Sequence, residues 1–147
     1  MEFIPYNRKA AVAYAHIWAY DRNPRFYNYE GLGGDCTNFA SQCLYTGTGV
    51  MNFTPTFGWY YRNPNDKSPS WTGVEYFYNF LTEKSVRIGP FALETDIYSV
   101  LPGDFIQLEL TGDDTLTIHR SWWRGERCPH WRISSLPRTA MTQITDH

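Results

Sequence analysis

One run of residues constrains this chain more than any other: Asp35-Cys36-Thr37-Asn38-Phe39-Ala40-Ser41-Gln42. A glycine-rich turn, Gly31-Leu32-Gly33-Gly34, leads directly into it. From Cys36 onward, Phe39, Ala40, Cys43 and Leu44 recur at helical spacing, so a helix is expected over Cys36 to Tyr45 with one apolar stripe. Asp35 is placed to cap it, and Gly47 and Gly49 are expected to stop it. A cysteine at a helix N-terminus sits among unpaired backbone N–H groups at the positive end of the helix dipole. Such a position favours thiolate over thiol, and the thiolate is the nucleophile.

The chain has 147 residues, which predicts a single domain over 1–147 with room for a core. Its net charge of -2 gives no reason to expect nucleic acid or an anionic membrane surface as a partner. No apolar run approaches the ~20 residues of a membrane-spanning helix. The first residues lack a long apolar segment, so a signal peptide is not expected. That fits a cytoplasmic location for the chain as written, or export as part of a longer precursor. Cys36 and Cys43 are seven positions apart on one predicted helix, roughly 10.5 Å, too far for a disulfide.

The rest reads as helices followed by strands, an α+β order. Ala10, Ala11, Tyr14, Ala15 and Trp18 predict a helix over Asn7 to Tyr20, with Asn7 as cap and Asn23-Pro24 beyond its end. Residues 46–70 read as a long loop holding Trp59. Ser70 is placed to cap a third helix reaching Leu81, with Val74, Phe77, Tyr78 and Leu81 on its buried face. Leu101-Pro102-Gly103-Asp104 reads as a turn, residues 105–110 as a half-buried strand and residues 111–114 as a hairpin turn. Aromatic residues are abundant, and Trp59 and Trp71 are candidates for a groove that stacks on a peptide or glycan, or for core packing.

The stretch Gly34 to Leu44 resembles the signature of the putative amidase domain, a papain-like group related to the NlpC/P60 and CHAP peptidases. Tyr14-Ala15, Trp59-Tyr60-Tyr61, Ser70-Trp71-Thr72-Gly73-Val74 and Pro102-Gly103-Asp104 fit the same pattern, which covers residue 6 to about residue 110. The resemblance implies a papain-like α+β fold with a nucleophile helix packed on a small antiparallel sheet. It implies Cys36 as nucleophile, a histidine base on an early strand, and a further polar residue to orient that base. The implied chemistry is amide hydrolysis through an acyl-enzyme, on a small amide or a cell-wall peptide, with no metal or organic cofactor. By the same resemblance Asp35 is a candidate for reading a substrate amine, against the plainer role of helix cap.

His119 is the only histidine near the expected base position, in Thr117-Ile118-His119-Arg120-Ser121-Trp122-Trp123. Beyond it the pattern changes. Residues 118–147 hold five Arg and three Trp and no alternating run of Val, Ile or Leu. A reading-frame shift near residues 114–117 is one explanation, and a divergent native tail is the other. Taking the last base of each codon with the first two of the next, Ile118 to Trp123 permits His-Ser-Pro-Val-Val-Val, and Trp122-Trp123 forces a Val. The segment 115–147 is then a tail in the wrong frame, and the chain an inactive product. A catalytically silent domain that binds peptide or glycan is a further alternative. A zinc site from His119, Cys128 and His130 fits no structural zinc spacing.

Overall fold

The structure, a computed structural model, describes residues 4–32, 35–83, 88–95, 97–109, 116–118 and 140–143. Four α-helices and six strands lie among them: α1 (Arg8–Trp18), α2 (Cys36–Thr48), β1 (Tyr61–Asn63), β2 (Asp66–Lys67), α3 (Pro69–Thr72), α4 (Val74–Thr82), β3 (Leu93–Thr95), β4 (Phe105–Glu109), β5 (Leu116–Ile118) and β6 (Ala140–Gln143). The fold is α+β, as expected. No helix among the described residues is long and apolar enough to cross a membrane.

Helix α1 begins as predicted: the Asn7 side chain accepts a hydrogen bond from the Ala10 N–H at 3.0 Å. It ends at Trp18, two residues before the expected Tyr20. Its inward face is built on Ala11 and Ala15, whose small side chains let α1 lie close against α2. Tyr14 reaches further, donating from its hydroxyl to Gln42 Oε1 at 2.7 Å and accepting from Asn23 Nδ2 at 2.8 Å. Burial pushes this phenol up from 10.0 to about 12. A group whose pKa is raised by folding stabilises fully below its unfolded value and loses that contribution as pH rises toward the folded one. The urea midpoint is therefore expected to hold up to about pH 10 and to fall between 10 and 12, less steeply in Tyr14→Phe.

Helix α2 departs from the expected single stripe. Every residue from Thr37 to Leu44 is buried, polar ones included. The polar side is a hydrogen-bonding face, not a solvated one. Ser41 donates to the Trp71 carbonyl at 2.9 Å and accepts from Trp59 Nε1 at 3.0 Å. Asn38 accepts from Trp71 Nε1 at 2.8 Å. Each buried polar group so paired avoids the cost of about 1–3 kcal/mol for an unmet one. The helix also runs three residues past the expected Tyr45. Gly47 lies within it, not beyond it: a Cβ there would collide with the Tyr6 ring. Gly49 is the stop, left-handed at φ 68°, its N–H bonded to Tyr45 O.

The 46–70 stretch is more ordered than a loop, since β1 and β2 form a short antiparallel pair within it. The predicted third helix is two. Ser68 precedes α3 with Pro69 at its first position, and Gly73 breaks the path into α4. Ser70 is no cap: it lies inside α3, where its hydroxyl bonds the Gly58 carbonyl. Phe77, Phe80 and Leu81 form the buried face of α4, while Tyr78 and Val74 are only half-buried.

The turn at 101–104 is present and tied to α1. Asp104 accepts from the Leu101 N–H at 2.8 Å and pairs with Arg8 at 2.6 Å, and the Tyr6 hydroxyl donates to Gly103 O at 2.9 Å. This pins the start of β4 to the start of α1. The main sheet has order β3-β6-β4-β5 and is antiparallel throughout. In β4, Phe105 and Gln107 are the buried pair, so the core face carries a polar side chain where alternation predicted only apolar ones. Glu109 stands opposite Leu116 across the expected hairpin, whose turn residues 111–114 lie outside the described residues.

Candidate functional site

Cys36 is the first residue of α2. Between Asp35 and Leu44 it is the one residue that reaches solvent; the nine others are buried. The first hydrogen bond of the helix runs from the Phe39 N–H to Asp35 O at 2.9 Å. The N–H groups of Cys36, Thr37 and Asn38 therefore have no acceptor within the helix. They converge at the positive end of a 13-residue helix, where partial charge favours an anion. Cys43, two turns on, is the opposite case. It is 2 % exposed, and burial pushes its thiol well above the ordinary range.

Asp35 occupies the cap position but does not cap with its side chain. Its carboxylate is turned into the preceding loop. Oδ1 accepts from the Tyr29 N–H at 3.0 Å and from Asn38 Nδ2 at 2.8 Å, and Oδ2 faces Arg22 Nε at 3.3 Å. Arg22 is itself held by Glu30 at 3.0 Å. Asn38 also donates to the Tyr27 carbonyl at 3.0 Å, and the Tyr27 N–H donates to the Tyr61 hydroxyl at 3.0 Å. Residues 27–29 are thus clamped from three sides beside the cysteine. At 4 % exposure and with both carboxylate oxygens engaged within the chain, Asp35 holds the loop that precedes Cys36 and leaves no open carboxylate for a substrate amine.

Of the two roles the sequence leaves open for Trp59 and Trp71, groove or core, the structure shows the core. Both are 0 % exposed, with ring centroids 4.9 Å apart, and both indole N–H groups are spent on α2. They are core residues that hold α2 in place. Neither presents a face to a ligand.

His119 lies outside the described residues, as do Cys128 and His130. The strand before it, β5, pairs with β4 and lies against both α2 and α4. Gln107 stands directly opposite Ile118 in that pairing. Gln107 is 4 % exposed, and its Nε2 has no hydrogen-bond partner among the described residues. Sequence reasoning passed over this residue, because a glutamine in an alternating strand looks like the solvent side. Arg22 and Asn38 were also missed; Asn38 sits inside the motif at one helical turn from Asp35, which was the available signal. Among the described residues no three His, Cys, Asp or Glu side chains converge as a metal site would require.

Comparison with known proteins gives the same region its context. The chain is 31 % identical over 110 residues to the uncharacterized protein YhbB of Bacillus subtilis (strain 168). That alignment covers 74 % of this chain and 34 % of YhbB, so the chain spans about a third of that relative's length. No solved structure matches it. The family described as Putative amidase domain matches residues 5–126, from the Tyr6 anchor through the cysteine helix and into the segment after β5. Over that span, which holds Cys36 and the helix braced by the two indoles, this chain belongs to the putative amidase domain family.

Proposed function

We propose that the chain is a cysteine-dependent amidase of the papain-like kind, related in mechanism to NlpC/P60 and CHAP peptidases. The observation that carries the reading is the placement of Cys36: partly exposed, at the N-terminus of a helix whose next eight residues, Thr37 to Leu44, are all buried. In this reading the Cys36 thiolate attacks the carbonyl carbon of an amide. The carbonyl oxygen takes up the negative charge and is held by N–H groups of the first turn of α2. His119 serves as the base: it takes the thiol proton and passes it to the departing amine. Water then hydrolyses the thioester and restores the thiol. Small amides or cell-wall peptides are the substrate class. The test is alkylation of the native protein with iodoacetamide, followed by peptide mapping. Cys36 is expected to be modified, with Cys43 untouched until denaturant is added. A native protein in which Cys36 resists the reagent contradicts the proposal. Ligand binding that survives Cys36→Ala, with no turnover in the parent, favours a silent binding domain instead.

One observation favours a second reading, in which residues from about 115 onward are written in a shifted frame. Gln107 holds a buried amide N–H with no partner among the described residues. A native fold seldom leaves such a group unmet. Position 118 stands directly opposite it, and the shifted frame permits a histidine there. Directly opposed residues have Cβ atoms about 4.5–5.5 Å apart on one face of the sheet, close enough for a Gln–His hydrogen bond. Sequencing the coding DNA across codons 105–147 decides it. A frame that runs on through a Val-rich strand puts the base at 118 and removes His119 from the site. A single uninterrupted frame leaves His119 as the base.

A further inference from the structure

The loop that leads into Cys36 carries an aromatic and cationic surface that the hydrolytic reading does not use. Tyr27 and Tyr29 meet edge to face with ring centroids 5.0 Å apart. Lys67 on β2 places its ammonium 5.2 Å from the centroid of the Tyr29 ring. The Tyr29 backbone is bonded at 3.0 Å to the carboxylate of Asp35, the residue before Cys36. Lys67 differs from three of the arginines. Arg8 pairs with Asp104, Arg22 with Glu30 and Asp35, and Arg62 with Asp66. Lys67 has no carboxylate within ion-pair distance among the described residues, and Asp66 beside it is already taken by Arg62. Its chain is half-buried and Tyr27 stays 47 % exposed, so the surface is held in shape yet open.

We propose that Tyr27, Tyr29 and Lys67 form a subsite for a carboxylate-bearing segment of the substrate, an acidic peptide whose carboxylate meets the Lys67 ammonium while its carbon chain lies on the Tyr27 ring. This rests on Cys36 as the nucleophile and adds the class of group recognised beside it. The clamping of residues 27–29 by Asp35, Asn38 and Tyr61 means that the surface needs little ordering on binding.

The test uses two thiol alkylators that differ only in charge, the N-chloroacetyl derivatives of aspartate and of asparagine amide. Their rates at Cys36 are measured by peptide mapping in native protein, and their ratio is compared with that at a free thiol such as glutathione. The aspartate reagent is expected to be favoured over that baseline. Lys67→Gln is expected to lower the preference about threefold or more, and Lys67→Arg to retain it, with the difference shrinking at high salt. A ratio that Lys67→Gln leaves unchanged overturns the subsite alone, since Cys36 still reacts. Failure of both reagents at Cys36 in the folded protein overturns the nucleophile and the subsite together. Far-ultraviolet circular dichroism of both variants shows that the fold is kept.

Discussion

Replacing Cys36 by serine is expected to lower amide hydrolysis at least about a thousandfold while leaving the fold unchanged. The loss follows from the chemistry. A serine hydroxyl at the same helix start lacks the nucleophilicity of a thiolate, and a base matched to sulfur does not activate it equally. The absence of a stability effect follows from position. Cys36 is partly exposed and has no packing role comparable to that of Phe39 or Leu44, so the change is expected within about 0.5 kcal/mol. Steady-state hydrolysis and a urea melt on the same sample separate the two. If activity falls together with the urea midpoint, Cys36 is a structural residue. Cys43→Ser provides the control. Its thiol is buried and held protonated, so that variant is expected to lose stability and to keep the activity of the fraction that folds.

The second large effect is expected at Trp71. Its ring is fully buried among Trp59, Phe26 and Tyr61, with centroids at 4.9, 5.8 and 5.7 Å. Its indole N–H satisfies Asn38 Oδ1, and Asn38 in turn holds Asp35 and the Tyr27 carbonyl. Trp71→Ala removes a fully buried indole behind α2 and strips a buried acceptor of its donor. The cavity alone costs about 3–5 kcal/mol. Against a total stability of about 5–15 kcal/mol, that leaves the variant marginal or unfolded at 37 °C. Trp71→Phe keeps most of the ring and loses only the N–H, so it is expected to fold with a midpoint between the two. The same comparison reports on the site. Trp71→Phe is expected to loosen the Asn38–Asp35 clamp and to slow turnover more than its stability loss explains. A urea series on all three proteins, read by far-ultraviolet circular dichroism, checks the order.

Much of the arrangement was legible because local chemistry and fold agree at those positions. Asn7, Asp35 and Gly49 sit where caps and stops must sit, and the turn at 101–104 carries the residues such a turn requires. The cysteine helix was legible from its apolar spacing. What could not be read is where tertiary partners override period. Ser41, Gln42 and Asn38 look like a solvated face until the indoles of Trp59 and Trp71 and the hydroxyl of Tyr14 arrive from distant segments. The same long-range bonds explain why the two tryptophans are core and not groove. Asp35 has the shape of a cap, yet an arginine thirteen residues earlier and the Tyr29 N–H draw its carboxylate the other way. Gly47 reads as a helix stop, but its absent side chain makes room for Tyr6. Gln107 was illegible for a related reason: only the packed fold shows that its amide is buried, without a partner among the described residues.

The central claim is that Cys36 carries a covalent acyl intermediate. The most direct measurement is a rapid acid quench of the protein during turnover of a peptide-amide or ester library, with intact-mass and peptide mass spectrometry. The account predicts a thioester adduct on the tryptic peptide that contains Cys36, discharged by hydroxylamine and absent in Cys36→Ser. Turnover with no adduct on that peptide, or with undiminished rate in Cys36→Ser, contradicts it.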